Sequence, residues 1–245
     1  METRELDFFK KQINSLAEKA LSGRVSLTNF LDETKQALII NSHFKDITIV
    51  FESGFIDGEY KRAILRPLDS CFADFKIIVY EIIYNERFLE LSHRKILGSL
   101  MGLGIKRESI GDIVLNGKKA YFACSEEISS YVESNFKVIG HTAVELKKVF
   151  DTVKVEREFI DKEYVLASLR LDAVIAGAYK LSRNEASDII NAGLVSVNHI
   201  SCLNLSYQVK EDDVLSIKHK GRVYVRKIGG LTRSSRIVVT LGFLK

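Results

Sequence analysis

The sequence of 245 residues predicts an α+β protein built from three consecutive modules. Residues 75–149 follow the order strand, helix, strand, strand, helix, strand, which is typical of a ferredoxin-like sheet. Residues 168–198 predict two short helices that lead into a strand. We therefore expect a small N-terminal α/β unit at 1–72, a ferredoxin-like domain at 73–152 and a C-terminal domain at 160–245.

The composition is that of an ordinary folded protein, with 46% hydrophobic and 28% charged residues. No apolar run reaches the ~18 residues that suggest a membrane-spanning helix. The first residues, METRELDFFKK, are charged and are followed by neither an apolar segment nor a small-residue cleavage site. We therefore expect no membrane span, no signal peptide and a cytoplasmic location.

Cysteine and histidine are too scattered to predict a metal site or a disulfide framework. Cys71, Cys124 and Cys202 are far apart and form no CxxC pair, so we expect reduced, largely buried thiols. The histidines lack neighbours at the spacing of metal ligands: His43, His93, His141, His199 and His219. The GLG stretch at 102–104 lacks the third glycine and the preceding strand of a nucleotide loop. No cofactor or metal is expected.

In the N-terminal unit the apolar spacing predicts helices over residues 3–22 and 27–40. Two segments with strand character follow, ITIVFES and EYKRAILRP, and a turn from Gly54 to Gly58 joins them. They predict a β-hairpin that completes a small α/β unit.

The ferredoxin-like domain is predicted from six segments: FKIIVYEIIY, HRKILGSLMGLG, IGDIVLN, KKAYFACS, EEISSYVESNF and AVELKKV. RNA-recognition motifs share this topology and stack bases on paired aromatic side chains of the central strands. Tyr121 and Phe122 are adjacent, so on a strand they point to opposite faces and cannot form such a pair. A structural or ribosome-docking role is therefore favoured over base stacking.

An apolar stripe at helical spacing predicts the first C-terminal helix: Leu171, Val174, Ile175 and Ala178. Arg170 and Lys180 fall outside this stripe. One face of the helix is therefore expected to pack into the core, with the two cations outside that face.

Ser182 is predicted to begin the second helix, because its hydroxyl and the Glu185 side chain can form the two halves of a capping box. Arg183 consequently lies in the exposed first turn. Gly193 suits a left-handed helix end, and residues 195–198 alternate apolar and polar as a half-buried strand does.

This order of residues resembles the S-four domain, the RNA-binding module named after the fourth small-subunit ribosomal protein. The resemblance rests on both helices and the following strand: Arg170-Leu171-Asp172, Leu181-Ser182-Arg183, Ala186, Gly193, Val195 and Val197-Asn198. It continues through the second strand, its turn and the basic exit: Ser206, Val209, Asp213, Ile217 and Gly221-Arg222. The resemblance implies an RNA-binding domain.

The sequence departs from the S-four pattern at four positions. His199 replaces the glycine that usually follows the strand asparagine, and Ile200 and Asn204 stand where lysine is frequent. Asp212 replaces the usual turn glycine. We therefore expect this loop to hold phosphate less strongly than in a typical member.

Positive charge is concentrated in the C-terminal domain. Residues 168–245 contain 12 basic and 6 acidic residues, a net charge of +6, while residues 1–167 carry a net charge of −2. No acidic residue follows Asp213, but seven cations do before the last residue: Lys218, Lys220, Arg222, Arg226, Lys227, Arg233 and Arg236. Such clustering is typical of a phosphate-binding surface, and a solvated basic rim is the alternative.

Across nearly the whole chain the sequence resembles the YlmH family of bacterial proteins. The resemblance rests on GLGIKRESIGDIVLNGKKAYF at 102–122, on FLDETKQ in the N-terminal unit and on the S-four domain. It implies a cytosolic, ribosome-associated RNA-binding protein, similar to small S-four proteins that act on large subunits blocked by unreleased peptidyl-tRNA. The family also carries the label of cell-division protein, but no residue here predicts a division-specific chemistry.

The predicted RNA contacts centre on Arg183, whose guanidinium and helix N-terminus can bind the same phosphate oxygens. The flanking contacts expected are Arg170, Lys180, Ser182, Asn198 and His199. A cationic track would continue through Lys218, Lys220, Arg222, Arg233 and Arg236. For Lys106 and Arg107 a second phosphate contact and a solvated helix end both stay open. The partners expected are ribosomal RNA, transfer RNA and the large ribosomal subunit, with the protein itself a monomer.

We expect no catalysis, although S-four domains also occur in RNA-modifying enzymes. A pseudouridine synthase needs a catalytic aspartate in a large domain of its own, whereas Asp172 belongs to the first S-four helix. The sequence lacks the glycine-rich turn of a methyltransferase and the histidine and lysine signatures of a tyrosyl-tRNA synthetase. Two alternatives remain: an RNA-modifying enzyme similar to a pseudouridine synthase, and a protein-binding adaptor linked to cell division that acts through the ferredoxin-like sheet.

Overall fold

The computed structural model describes most of the chain: residues 3–70, 74–85, 87 and 90–244. The chain divides into two compact units, Met1–Glu156 and Arg157–Lys245. Both units combine helices with antiparallel sheets, which confirms the predicted α+β class.

The first unit contains these elements in chain order: α1 (Thr3–Leu21), β1 (Ser26–Leu27), α2 (Glu33–Asn41), β2 (Ile47–Glu52), β3 (Phe55–Ile56), β4 (Arg62–Pro67), β5 (Ile77–Tyr84), α3 (His93–Gly102), β6 (Ile110–Asn116), β7 (Lys119–Ser125), α4 (Glu126–Asn135), β8 (Val138–Ile139), β9 (Thr142–Val149) and β10 (Val153–Lys154). A short 3-10 turn, Arg107–Ser109, precedes β6. Strands β3 and β10 pair in parallel.

The N-terminal part of this unit is a three-stranded antiparallel sheet in the order β1-β4-β2. Strands β2 and β4 pair along their whole length, which confirms the predicted hairpin. The inner face of α1 is buried with this sheet through Phe9, Ile13, Ala17 and Ala20. This small sheet therefore has an apolar core that α1 completes.

Helix α2 begins at Glu33, so the predicted start at residue 27 is wrong. Asp32 caps the helix, because its carboxylate accepts a hydrogen bond from the Lys35 N–H at 2.8 Å. The preceding Ser26–Leu27 pairs with β4, and the Thr28 hydroxyl accepts a hydrogen bond from the Ala63 N–H at 2.8 Å. Sheet pairing, a contact with a distant segment, overrides the local helical pattern.

The remainder of the first unit is the predicted ferredoxin-like domain, with strand order β6-β7-β5-β9-β8. The two-residue strand β8 adds an edge that the sequence did not predict. Helices α3 and α4 cover one face of the sheet, where Tyr80, Ile96, Phe122 and Val132 are buried together.

The opposite face of the ferredoxin-like sheet is also covered. Tyr121 is buried there in a cluster with Phe30, Phe55 and Val114. Tyr121 and Phe122 therefore do lie on opposite faces, as predicted. Because the N-terminal segment supplies Phe30 and Phe55, the Tyr121 ring is not available for stacking with a base.

Arg62 fastens the N-terminal sheet to the ferredoxin-like domain. It is only 3% exposed, and its Nε donates a hydrogen bond to the Thr28 carbonyl at 2.8 Å. Its two Nη atoms bind the Glu127 carboxylate at 3.1 and 3.2 Å, and Nη1 also reaches the Lys76 carbonyl at 2.8 Å. One buried guanidinium thus joins three segments of the first unit.

The second unit contains these elements: β11 (Phe159–Leu166), α5 (Leu171–Tyr179), α6 (Arg183–Asn191), β12 (Val195–Val197), β13 (Ile200–Ser201), β14 (Val214–Ile217), β15 (Gly221–Leu231) and β16 (Ile237–Leu244). The strands form one sheet in the order β11-β16-β15-β14-β12-β13. Helices α5 and α6 pack on one face, where Leu171, Ile175, Ile190, Val225 and Leu241 are buried in a common core.

The described residues bear on the sequence expectations about membrane helices, metal sites and cysteines. No described helix is long and apolar enough to cross a membrane. Within the described ranges no group of three histidine, cysteine or acidic side chains is placed to hold a metal ion. Cys124 is buried and Cys202 is half-buried, both as free thiols, while Cys71 lies outside the described residues.

Candidate nucleic-acid interface

Helix α5 places its apolar stripe in the core and a cation just beyond its last turn. All four predicted stripe residues are buried: Leu171, Val174, Ile175 and Ala178. The helix ends at Lys180, whose φ of +55° is left-handed, and the Leu181 N–H returns to the Ala176 carbonyl at 2.9 Å. The chain reverses here, so that the exposed Lys180 side chain lies close to the start of α6.

Helix α6 begins with the predicted capping box. The Ser182 hydroxyl accepts from the Glu185 N–H at 3.2 Å, and the Glu185 carboxylate accepts from the Ser182 N–H at 2.7 Å. The second bond lowers the pKa of Glu185 below its usual value. Arg183, the first helical residue, is exposed in the first turn, at a helix end whose N–H groups favour anions.

The turn between β14 and β15 carries Lys218 and Lys220, and it brings Lys220 close to the start of α6. The Tyr179 hydroxyl donates to the Gly221 carbonyl at 2.9 Å, which attaches this turn to the end of α5. Lys220 is near enough to Glu185 to lower the pKa of that carboxyl further. We call the exposed set Lys180, Arg183, Lys218 and Lys220 the junction surface.

The junction surface has positive charge that the protein does not neutralise by direct pairing. Within the described part of the chain, none of its four cations has a carboxylate oxygen within 4 Å. Cations without a carboxylate partner, placed around a helix N-terminus, are chemically suited to bind phosphate groups.

Arg170 is held close to the same junction by Asp172. Its Nε and Nη2 atoms lie 3.1 and 3.0 Å from the two carboxylate oxygens, in a bidentate pair. Asp172 is 6% exposed and also accepts from the Ala173 N–H at 2.8 Å. The Arg170 hydrogen bonds are the main reason why the pKa of Asp172 is lowered, and Arg183 contributes at longer range.

Asn198 organises the turn after β12. Its Nδ2 donates to the Asp213 carboxylate at 2.8 Å, and its Oδ1 accepts from the Val214 N–H at 2.9 Å. Asp213 is buried and also accepts from the Tyr207 hydroxyl at 3.1 Å. The Asn198 amide is thus engaged within the protein, in a network that positions the loop and its neighbour His199.

Non-glycine residues occupy the turn positions where S-four domains usually have glycine. His199 has a φ of +68° and Asp212 a φ of +66°, both in the left-handed region. The backbone therefore keeps the shape that glycine would adopt freely, with larger side chains on it.

The C-terminal hairpin arginines lie far from the junction surface. Arg233 and Arg236 are exposed in the turn that joins β15 to β16. Strand β15 has 11 residues and so spans about 35 Å from Gly221 to this turn. Arg222, half-buried at the start of β15, is the track residue closest in sequence to the lysine turn.

In the first unit, Lys106 and Arg107 differ in their availability. The Arg107 guanidinium stacks 4.0 Å from the centre of the Tyr60 ring and donates to the carbonyls of Ile110 and Gly111. Lys106 is exposed at the start of the 3-10 turn. Arg107 therefore has a packing role that neither sequence interpretation described, and Lys106 is the accessible cation of the two.

One group of side chains that the sequence analysis did not single out lies on the sheet face opposite α5 and α6. The Phe159 and Tyr224 rings meet edge to face at 5.0 Å, and the Arg226 guanidinium lies 4.8 Å above Phe159. The alternation of Arg222, Tyr224 and Arg226 with buried valines could have indicated this shared face.

Comparisons with known proteins match both units. A family described as a putative RNA-binding domain in YlmH matches residues 71–152, and the family described as the S4 domain matches residues 169–215. Arg183 and the helices α5 and α6 lie within the second match. The first match covers the ferredoxin-like strands β5 to β9.

Two relatives match over most of their own length. The ribosome-associated protein quality control protein P2 of Bacillus subtilis (strain 168) is 34% identical over 223 residues, covering 89% of this chain and 86% of that protein. The solved structure of cell division protein ylmH from Streptococcus pneumoniae matches with a TM-score of 0.50 and 27% identity. That match covers 61% of this chain and 93% of the pneumococcal one.

Proposed function

This chain belongs to the YlmH family, and on that premise we propose that it is a ribosome-associated protein that binds RNA without catalysis. It recognises structured ribosomal or transfer RNA by shape and by the phosphate backbone rather than by base sequence. The name of the Bacillus subtilis relative, which associates that protein with the ribosome and with quality control, supports this proposal. The two RNA-binding families matched along the chain support it as well.

The junction surface is the observation that carries the proposal. Arg183 presents a planar guanidinium beside the first turn of α6, and the capping box uses the N–H groups of Ser182 and Glu185. In the described structure the N–H groups of Arg183 and Asn184 have no hydrogen-bond acceptor. A phosphate placed here would receive two backbone hydrogen bonds and a bidentate contact from Arg183.

The remaining predicted contacts fall into three groups by their surroundings. Lys180, Lys218 and Lys220 extend the phosphate site around Arg183. Arg170, Ser182, Asn198 and His199 shape the site, the first three through hydrogen bonds inside the domain. Arg222, Arg233, Arg236 and Lys106 would contact more distant phosphates of a large RNA.

A non-catalytic role agrees with the surroundings of Asp172. Both carboxylate oxygens are bound by Arg170, and one also accepts from a backbone N–H. A carboxylate that is held in this way in the first turn of a helix stabilises the domain and is poorly placed to attack a base.

The RNA that we propose as the physiological target is on a large ribosomal subunit blocked by peptidyl-tRNA. The test is co-sedimentation of the purified protein with large subunits that carry peptidyl-tRNA, compared with the same subunits after the nascent chain and tRNA have been released. We expect the protein to be retained at least several-fold better on the blocked subunits, and Arg183→Glu to lose this retention. Equal retention on both kinds of subunit would contradict the target, and equal retention of the variant would contradict the site.

A further inference from the structure

A cleft of about 610 Å³ lies at one end of the ferredoxin-like sheet, and none of the described residues that line it is a proposed RNA contact. It is bordered by β3, by the start of β5 and by the end of β9. Its apolar surface comes from Phe55, Ile77, Val79 and Val149, which join the core beneath the sheet. The cleft belongs entirely to the first unit.

Phe150 lies at the edge of this cleft, and its side chain is almost completely exposed to solvent. It is 93% exposed, and Ile56 on the facing strand is 47% exposed. Exposed apolar side chains beside an apolar depression form a contiguous patch, which in soluble proteins is characteristic of interaction sites.

The rim of the cleft is acidic. Glu52, Asp74 and Asp151 line it with exposed side chains, and Lys148 is the one lysine or arginine among the described lining residues. The Lys148 ammonium is already bound to Glu133 at 2.8 Å. The rim therefore offers more negative charge than its own cation can neutralise.

Lys76, which pairs with the rim residue Asp74, does not change this balance. Lys76 lies between Asp74 at 3.2 Å and Glu126 at 3.1 Å, so it is shared with a carboxylate beyond the rim. Both carboxylates raise the pKa of Lys76, so this lysine stays protonated. Glu52 and Asp151 have no salt bridge to any cation of the described residues.

We propose that this cleft binds a short protein segment in which an aromatic or aliphatic side chain is flanked by lysine or arginine. The apolar side chain would fill the depression against Phe150 and Ile56, and the flanking cations would meet the carboxylates of the rim. RNA is disfavoured here, because its phosphates would face those carboxylates. The first unit thus carries a protein-binding site that is opposite in charge to the RNA surface of the second unit and shares no residue with it.

The experiment is a selection of random twelve-residue displayed peptides on the full-length protein, followed by sequencing of the enriched pool. The same pool is then measured on Phe150→Ser and on Asp151→Lys. The controls are Phe8→Ser, which alters another exposed phenylalanine (72% exposed), and Glu145→Lys, which makes the same charge change on β9, outside the cleft lining. All four positions are exposed, so the melting temperatures of the variants should equal that of the original protein.

We expect peptides that combine an aromatic or aliphatic residue with flanking lysine or arginine. Their enrichment should fall at least tenfold on Phe150→Ser and on Asp151→Lys, and should persist on both controls. Transfer RNA should not compete with a synthetic copy of the best peptide, measured by fluorescence anisotropy.

Three results of the selection would overturn the proposal. These are enrichment that is the same on the cleft variants and on the controls, enrichment of acidic peptides at the cleft, and no enrichment on the original protein. A dimer that Phe150→Ser converts to a monomer in sedimentation would assign the cleft to a second copy of the chain, and would also contradict the proposal.

Discussion

The Tyr179 hydroxyl in the last turn of α5 donates a hydrogen bond to the Gly221 carbonyl at the start of β15, across 2.9 Å. This bond connects a helix to a turn that is 42 residues further along the chain. Because the turn carries Lys218 and Lys220, the bond sets the position of two cations relative to Arg183. Burial raises the pKa of Tyr179 to about 12, so the hydroxyl keeps its proton at physiological pH.

Tyr179→Phe removes this bond without changing any charge. We expect a stability loss of about 0.5–1.5 kcal/mol and an RNA affinity about two to five times lower, because the lysine turn is less well positioned. Tyr131→Phe is a matched control, since the Tyr131 hydroxyl also donates to a backbone carbonyl, that of Leu103 at 3.0 Å, in the first unit. RNA titration and thermal melts measure both effects. Identical RNA affinities for the two variants would show that the bond does not position the lysines.

Arg183→Glu replaces the proposed phosphate ligand by a carboxylate that the helix start tolerates, so the fold should be little changed. Binding should weaken by on the order of 1–3 kcal/mol, and the salt dependence of log K should become shallower by about one unit. The loss should be similar for RNAs of different sequence, because a phosphate contact reads no base.

Lys147→Glu is the control for charge. Lys147 is exposed on β9 in the first unit, outside the proposed surface. Binding titrations at several salt concentrations should give a small loss for this variant and a large one for Arg183→Glu. Equal losses would mean that diffuse charge, and not the start of α6, attracts the RNA.

Asp172→Asn should destabilise the second unit in a pH-dependent way. The folded pKa of Asp172 is depressed below its ordinary value of 3.8, so ionised Asp172 stabilises the fold above that pH. This contribution is lost as the pH falls through the depressed pKa. At pH 7 we expect a cost of about 1–3 kcal/mol, because the buried carboxylate loses its charge and its bidentate contact with the partly exposed Arg170.

Hydrogen exchange of the α5 amides measures this effect within the second unit. The difference in α5 amide protection between Asp172→Asn and the original protein should have its largest value at pH 5 and above. It should become smaller below pH 3.8. A difference that stays constant down to the most acidic pH would exclude the ion pair as its cause.

The fragment 157–245 should fold alone and keep most of the RNA affinity. Its core is internal to the unit, and the junction surface and the C-terminal cations all lie within it. Gel shifts compare the RNA affinity of this fragment with that of residues 1–156. Stronger RNA binding by the N-terminal piece would move the main site to the ferredoxin-like domain.

Incubation of the protein with RNA and labelled adenosylmethionine, or an assay for pseudouridine, should yield no modified base. The reason is that Asp172 is bound on both oxygens inside the domain. Stoichiometric modification that disappears in Asp172→Asn would establish an enzyme in place of a binding protein.

The parts of the site that sequence reasoning predicted are those determined by neighbouring residues. The Ser182–Glu185 capping box and the exposed first-turn position of Arg183 follow from a spacing of three residues. The apolar stripes of α5 and α6 follow from helical periodicity in the same way. The sequence also placed Gly193 at a left-handed position, where the structure has a φ of +70°.

The parts that were missed depend on contacts between distant segments. Ser26–Leu27 pairs with β4, so these residues are a strand and not the first turn of the predicted second helix. The stacking of Arg107 on Tyr60 spans 47 positions, and no local pattern announces it. Such contacts form only when the fold brings the segments together, so periodicity and capping rules do not contain them.

Arg62 has a consequence for how the first unit opens. Withdrawing Thr28, Lys76 or Glu127 would leave the buried Arg62 guanidinium with unsatisfied donors. The free-energy cost of partly detaching the N-terminal sheet is therefore larger than the number of broken contacts alone would suggest. We therefore expect the two halves of the first unit to unfold as one cooperative block, with the amides of β4 and β5 becoming exchangeable in a single event.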